Sequence, residues 1–247
     1  MQSSVTYDGG RHSRGSAVRP ADDAFQPPPG PVGEPRSWAA GRTLHDEGDS
    51  VRNLWVLQSG WAARACMLKD GRRQIARLML PGDVGPATSS LAPTGTIVAI
   101  TNVTTAPLIL DRDLVGSDAG VVSPARIRLQ RLAHEEQAQI LDHLVRLGQM
   151  SAYERMAHLL LELHRRLARV GLVSGDTMPL PLTQEMLADL LGLSIVHVNR
   201  TLRQLQGAGL IVYGKGKLAI PDLRALAIAC SCGDLHSRTE SSAETPM

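Results

Sequence analysis

Short apolar runs alternate with turn residues from Trp38 to about Arg112, at spacings typical of an all-β unit. The longest runs predict strands at residues 54–57, 62–68, 74–80, 97–103 and 106–110. Glycine-containing turns, such as Ser59-Gly60 and Asp70-Gly71, separate them. With the shorter runs, the pattern predicts a β-roll of about eight strands over residues 37–118, a cupin-like double-stranded β-helix.

A long helical pattern follows within residues 119–150. The Ser123-Pro124 pair suits a helix start, and no breaker occurs before Gly148, so the helix would run about 24 residues, or roughly 36 Å. Polar Glu136 and Gln137 interrupt its apolar stripe, which comprises Leu129, Leu132, Ala133, Ile140, Leu144 and Leu147. This stripe is larger than a small β-roll can cover. The pattern therefore favours pairing with a second copy, although packing wholly within one chain is the alternative.

Residues 151–232 have the pattern of a second compact unit. Ser151 and Glu154 form a capping-box pair that predicts a helix to about Arg169. Its apolar face should pack behind the segment that follows, and consists of Leu159, Leu160, Leu163 and Leu167. The chain as a whole is therefore predicted to be α+β: a β-roll, a long dimerisation helix and a C-terminal helical unit.

Two short helices and a hairpin are predicted between residues 183 and 220. Thr183 and Ser194 are candidate N-caps, and Gly192 suits the positive φ of the turn between the helices. Apolar residues recur on the rear of the second helix at Val198, Leu202 and Leu205. Residues 210–213 and 218–220 read as two strands around the basic turn 214–217, which contains Lys215 and Lys217.

The front of the second helix is polar and basic. It presents Val196, His197, Asn199, Arg200 and Arg203. A short helix with a packed rear and such a front fits the DNA major groove, and a lysine-bearing wing beside it would meet phosphate. These features predict a winged helix-turn-helix that binds double-stranded DNA. The alternative is a helical hairpin whose charged face is only solvated.

The amino-acid composition bears on the kind of nucleic acid that this chain could bind and on its location in the cell. The 247 residues carry 26 basic and 24 acidic side chains, so a nucleic-acid surface must be local. Aromatic residues make up 3%, which argues against a base-stacking platform for single strands. No apolar run could span a membrane and no signal peptide is visible, while three cysteines are too few for a disulfide framework. A cytoplasmic protein is expected, with polar tails at residues 1–36 and 233–247 that are predicted to be disordered.

This order of elements resembles the Crp/Fnr superfamily of bacterial transcription regulators. The resemblance rests on Glu47-Gly48-Asp49, Ser59-Gly60, Asp70 to Ile75, Pro81-Gly82-Asp83 and the end of the second helix, Val198-Asn199-Arg200. It implies a homodimer that binds a palindromic operator and recruits or blocks RNA polymerase. On this resemblance Arg200 would contact a base, while Thr183 and Gln184 would contact phosphate at a helix N-terminus, where an anion is favoured.

Several residues depart from the family pattern, so the family's usual DNA half-site and ligands are not all expected of this chain. Val196 stands where many members have a glutamate that accepts from cytosine, so the usual half-site is not expected. No arginine occurs between Val84 and Thr96, where cyclic-nucleotide members hold the phosphate, so cyclic nucleotide is not expected to bind. The N-terminal cysteine cluster of iron–sulfur members is absent, and scattered histidines such as His45 are poor haem candidates. No cofactor is therefore expected.

Other functions are less well supported by the sequence. The predicted strands lack the histidine and carboxylate set of a catalytic metal, and no nucleophile triad or phosphate loop appears, so an enzyme is not expected. Cys230 and Cys232 with His236 make an incomplete metal site. A sensor that responds to a small ligand or redox signal, with Cys66 as the one thiol in the roll, and acts through a protein partner is the remaining alternative.

Overall fold

The computed structural model describes residues 33–49, 54–86, 95–108 and 124–230. The predicted tails lie outside these ranges, except that residues 33–36 run along the β-roll, where Gly33 N donates to Pro107 O at 2.8 Å. Within the described part of the chain, no helix has both the length and the apolar character needed to cross a membrane.

In the described residues, eight short strands form the predicted β-roll as two four-stranded antiparallel sheets. They are β1 (Arg36–Trp38), β2 (Thr43–His45), β3 (Trp55–Ser59), β4 (Ala62–Met67), β5 (Arg73–Met79), β6 (Val84–Gly85), β7 (Thr96–Ala99) and β8 (Val103–Pro107). The sheets have strand orders β1-β8-β3-β6 and β2-β7-β4-β5. Apolar side chains between them form a buried cluster that includes Leu57, Met79, Ile97 and Val103.

One predicted strand is wrong. Residues 97–103 were expected to continue as a single strand, but a turn at residues 100–102 divides β7 from β8. The turn is bound from across the roll: Ile100 N donates to Trp61 O at 2.8 Å, and Trp61 N donates to Thr101 Oγ1 at 2.9 Å. Gly60 packs beneath it with a φ of +83°, in a space too small for a Cβ atom. The predicted strand 106–110 begins earlier, in β8, and residues 109–110 lie outside the described ranges.

The described residues that follow the roll begin with two long helices. The first, α1 (Pro124–Gln149), is 26 residues long and continues through Gly148 to end two residues beyond the predicted limit. The second, α2 (Ala152–Arg169), begins with the predicted capping box: Ser151 accepts from Glu154 N, and the Glu154 carboxylate accepts from Ser151 N. The leucines predicted to pack behind the following helices are all buried in the core of the C-terminal unit.

The C-terminal unit contains the predicted helix pair and hairpin. Its elements are β9 (Thr177–Pro179), α3 (Gln184–Leu191), α4 (Ile195–Gly207), β10 (Val212–Gly214), β11 (Lys217–Ala219) and α5 (Leu223–Ala229). The sequence did not predict β9, which pairs with β11 and extends the hairpin to three antiparallel strands. The two hairpin strands differ by one or two residues from the predicted limits.

Candidate nucleic-acid interface

The helix pair α3–α4 is fixed by local capping and by a buried rear face. Thr183 Oγ1 accepts from Met186 N at 3.1 Å, and Ser194 Oγ accepts from His197 N at 3.2 Å. Gly192 ends α3 with a φ of 62°, the left-handed conformation that the predicted turn requires. Val198, Leu202 and Leu205 are buried as predicted. The orientation of the front of α4 follows from this packing.

The front of α4 is open to solvent and lines a groove with the start of α3. Val196 is 77% exposed, and Arg200 and Arg203 are also exposed. Gln184, Ile195 and Gln204 complete the lining with Asn199. Ile195 and Gln204 were not predicted to belong to this surface, although their helical spacing from Asn199 and Arg200 indicates it.

Polar contacts hold part of this surface in place. Asn199 Nδ2 donates to Gln184 Oε1 at 3.3 Å, and Ser194 Oγ lies 3.0 Å from His197 Nδ1. Arg200 and Arg203 form no ion pair with any residue in the described ranges. Their guanidinium groups are therefore available to an external anion or base edge.

The hairpin of the same C-terminal unit places both lysines at the surface. Lys215 and Gly216 form the two-residue turn between β10 and β11, with φ values of 51° and 71°. Positive φ at both positions is the geometry of the hairpin turn that matches strand twist. Lys215 and Lys217 are exposed, and Gly216 O accepts from Leu180 N at 2.8 Å, which ties the turn to β9.

The predicted apolar stripe of α1 divides between two faces. Ile140 and Leu144 are exposed, with Leu144 at 65%, and Leu141, which was not predicted, is 60% exposed beside them. Leu132 is half-buried against an apolar cluster of the roll, and Ala133 and Leu147 are also half-buried. The side chain of Leu129 lies outside what the structure describes. Of the predicted stripe, the exposed side chains that the structure describes, Ile140 and Leu144, lie in the C-terminal half of α1.

Charged groups join α1 to α2. Arg146 donates to Glu162 and, at 2.9 Å, to His158 Nδ1. Burial raises the pKa of Glu162, but the charges of Arg146 and Arg166 outweigh it, so the net pKa is lowered and the carboxylate stays ionised. Burial, reinforced by Arg146, lowers the pKa of His143 to about 4, so this imidazole is neutral at pH 7.

A second set of contacts joins the roll to α3. Arg73 Nη2 lies 2.6 Å from Asp189 Oδ2, and Gln74 Nε2 donates to Leu190 O at 3.3 Å. From α2, Arg155 Nη1 donates to Leu191 O at 3.1 Å. No pattern in the sequence indicated these contacts, because each pairs residues that are far apart along the chain. They position the first helix of the helix pair relative to the roll.

A cation reaches the segment that begins at Val84, although the sequence places no arginine between Val84 and Thr96. Arg64, on β4, donates to Pro86 O. Its charge is balanced by Glu136, whose Oε1 lies 2.6 Å from Arg64 Nη1. Nothing in the sequence indicated this contact, because Arg64 and Pro86 are 22 residues apart, and residues 87–94 lie outside the described ranges.

Of the candidate thiol and metal positions, the structure describes Cys66 in the roll and Cys230 after α5. Cys66 is half-buried, and the guanidinium of Arg64, two residues away, is engaged by Glu136 and Pro86. Cys230 is buried and donates to Ala227 O at 3.1 Å, whereas Cys232 and His236 lie outside the described residues. The buried Nε2 of His45 has no hydrogen-bond partner among the residues that the structure describes. Across the described ranges, no three His, Cys, Asp or Glu side chains are grouped to hold a metal ion.

Comparison with known proteins agrees with this architecture, which is that of a DNA-binding regulator. Residues 154–228 match the Crp-like helix-turn-helix domain, and residues 35–112 match the cyclic nucleotide-binding domain. The nitrogen fixation regulation protein FixK of Bradyrhizobium diazoefficiens is 33% identical over 195 residues, covering 78% of this chain and 81% of that protein. The transcriptional activator protein FnrL of Cereibacter sphaeroides is 30% identical, over 77% and 78% of the two chains.

The solved structures agree with the sequence relatives. The structure of FixK2 from Bradyrhizobium japonicum superposes with a TM-score of 0.72 at 26% identity, covering 81% of this chain and 98% of that one. The chain belongs to the Crp/Fnr family of transcription regulators. Family members bind DNA and act as dimers, and they are regulators rather than enzymes. The predicted fold and general function are confirmed.

Proposed function

We propose that this protein acts as a homodimer on a palindromic operator and binds it without a cyclic nucleotide. The observation that carries the proposal is the front of α4, where Arg200 and Arg203 are exposed and make no ion pair with any described residue. In this proposal α4 enters the major groove, and the two half-sites lie about 34–36 Å apart, one helical turn. Such a regulator would work in the cytoplasm and contact RNA polymerase.

Within the groove, we assign different roles to the basic residues. Arg200 contacts a guanine edge, and Arg203, His197 and Asn199 flank it. Val196 cannot accept a hydrogen bond, but it can contact a thymine methyl group. Thr183, Gln184 and Ser194 lie at helix N-termini, where backbone N–H groups favour phosphate, and the wing lysines Lys215 and Lys217 meet the backbone.

Paired substitutions test this division. Arg200→Ala should weaken specific binding by ~1–3 kcal/mol and relax preference at one base pair per half-site, as measured by selection from a random DNA pool. Lys215→Ala should weaken all sequences alike and lower the salt slope by about one. The third lysine, Lys69, lies in the β4–β5 turn and is exposed, so Lys69→Ala is the matched control and should leave the slope unchanged. A change of preferred sequence in Lys215→Ala but not in Arg200→Ala would contradict the docking.

Dimerisation is assigned to the exposed apolar face of α1. Ile140→Glu with Leu144→Glu places two charges in this face and should give monomers with weak DNA binding, measured by sedimentation and gel shift. Ala138→Glu with Gln149→Glu adds the same charge at exposed positions of α1 that lie, by helical spacing, on the side away from Ile140 and Leu144, and should leave the dimer intact. A wild-type protein that is monomeric at micromolar concentration would disprove the assignment.

The charge balance of the roll supports the proposed independence from cyclic nucleotide. The arginine that reaches Pro86, Arg64, is already paired with Glu136, so a cyclic phosphate that used it would have to displace a buried carboxylate. Calorimetry with cyclic AMP and cyclic GMP should detect no micromolar binding, and gel shifts should form without either compound. Nucleotide-dependent gel shifts would refute this part of the proposal.

A further inference from the structure

The β-roll meets α1 at a buried charge cluster, here called the Glu136 cluster, consisting of Arg64, Arg77, Asp83, Glu136 and Gln139. In the β4–β5 ladder Arg64 pairs with Arg77 and Ala65 pairs with Ile75, so the register skips Ala76. Paired residues project to the same face of a sheet. The bulge therefore turns both arginines to one side, while Ile75 packs on the other with the C-terminal unit.

Glu136 supplies the carboxylate between these two guanidinium groups. Its Oε1 lies 2.6 Å from Arg64 Nη1 and 3.6 Å from Arg77 Nη1, and all three side chains are more than nine-tenths buried. Buried like charges repel each other and have lost their hydration, so they depend on a counter-ion held close to them. Among the described residues, Arg64 Nε and Arg77 Nη1 have no hydrogen-bond partner, so each arginine has a buried donor that is not satisfied there.

The cluster also reaches the DNA-binding unit. Arg77 Nε donates to Gln139 Oε1 at 3.0 Å, and Arg77 Nη2 lies 3.1 Å from Asp83 Oδ1. The other oxygen of Asp83 lies 2.6 Å from Arg166 Nη2 on α2. The position of α1 on the roll is thus linked through Arg77 and Asp83 to the position of α2.

We propose that Glu136 is a built-in anionic ligand of the β-roll. Its carboxylate joins the roll to α1 as a bound small anion could, and so keeps the DNA-binding unit in its binding arrangement without an effector. This inference rests on the proposed nucleotide-independent DNA binding. Removing the carboxylate leaves Arg64 without its counter-ion and opens space beside two buried guanidinium groups. DNA binding by Glu136→Ala should then depend on a supplied small carboxylate.

The test is chemical rescue of DNA binding in the full-length protein. At constant ionic strength in sodium chloride, Glu136→Ala should bind operator DNA about tenfold or more weakly than wild type, because the buried pair is broken. Replacing about 50 mM of the chloride by acetate should recover most of the loss, with the total salt held fixed because salt itself weakens binding. Acetamide, which has the same shape without the charge, should recover none. Glu135→Ala, an exposed neighbour on α1, should match wild type in every buffer.

Equal binding by Glu136→Ala and wild type in chloride would overturn the inference, as would a loss that acetate restores no better than acetamide. Wild type that fails to bind without nucleotide would instead refute the proposed function. If Glu136→Ala does not fold in chloride, acetate must raise its Tm more than that of wild type; an equal rise also overturns the inference. Arg64→Met with Glu136→Met removes both charges, so it should bind DNA better than Glu136→Ala in chloride and show no acetate response.

Discussion

Arg166 is the side chain through which α2 holds the roll, and its removal should have a measurable effect on stability. Its Nη2 lies 2.6 Å from Asp83 Oδ2 and donates to Leu78 O at 2.9 Å, while Nη1 donates to Glu162 Oε1 at 3.3 Å. The side chain is 12% exposed. Arg166→Met keeps the unbranched apolar stem and removes the charge with every donor.

The expected loss in the free energy of unfolding depends on which ion pairs Asp83 and Glu162 still form without Arg166. Removing one member of a buried ion pair destabilises a protein by about 3–5 kcal/mol when the other charge is left alone. Here Asp83 keeps Arg77 at 3.1 Å, and Glu162 keeps Arg146, so neither carboxylate is left without a cation. The loss should therefore lie at or below the lower end of that range, at about 2–3 kcal/mol, part of it from the lost hydrogen bond to the Leu78 carbonyl.

Urea unfolding at a fixed protein concentration measures the change, since the stability of a dimer depends on concentration. Arg165→Met, at the preceding and exposed position, is the matched control, and its free energy of unfolding should stay within about 0.5 kcal/mol of the wild-type value. Combining Arg166→Met with Asp83→Asn should give a coupling energy of about 1 kcal/mol or more. Wild-type stability in Arg166→Met, or a coupling energy of zero, would refute the assignment of Arg166 as the link.

Further predictions concern pH, a turn and a cap. Because burial holds the pKa of His143 at about 4 in the folded chain against 6.5 when exposed, stability should be fully present above pH 6.5 and fall by about 2–3 kcal/mol between pH 6.5 and 4. Unfolding at pH 7 and 4.5 should show this loss diminished in His143→Gln; an unchanged loss would exclude His143 as its source. Gly60→Ala should destabilise by more than about 2 kcal/mol, because its Cβ would overlap Asn102 O, whereas Gly71→Ala, at a similar φ in open space, should cost about 1 kcal/mol in thermal unfolding. Ser151→Ala should cost about 1 kcal/mol through the lost cap, and Ser151→Thr should not.

The elements that the sequence predicted well are those whose signals are local. The caps of α2, α3 and α4 lie within four residues of the groups they satisfy, so the order of residues alone identifies them. The buried faces of these helices follow the helical period. The turn between β7 and β8 has no such signal. It contains neither glycine nor proline, and it is hydrogen-bonded to Ala40 and Trp61, which are some 40 to 60 residues away.

Glu136 illustrates a different limit of what a sequence pattern can predict. In the sequence it interrupts an apolar stripe of α1 and resembles a solvated position, yet it is 4% exposed. Its partner Arg64 is 72 residues away, and the bulge at Ala76 brings Arg77 to the same side. Helical periodicity shows which residues share a face. It does not show whether the opposing surface is apolar or cationic, since that surface is built by another part of the chain.

Two kinds of contact, apolar packing and ion pairs, hold the roll and the helices together. Apolar side chains pack α2 against α3 and α4, and the same cluster extends across Ile75, Leu78 and Leu80 of the roll. Such packing favours burial but is not directional, so it leaves a range of arrangements between roll and helices with similar energy. Ion pairs restrict that range, because they require donor and acceptor within about 3 Å and in line. Those at Glu136, Asp83 and Asp189 all join the roll to a helix. The apolar core therefore determines that the roll and the DNA-binding unit associate, and the charged contacts determine the orientation in which α4 is presented.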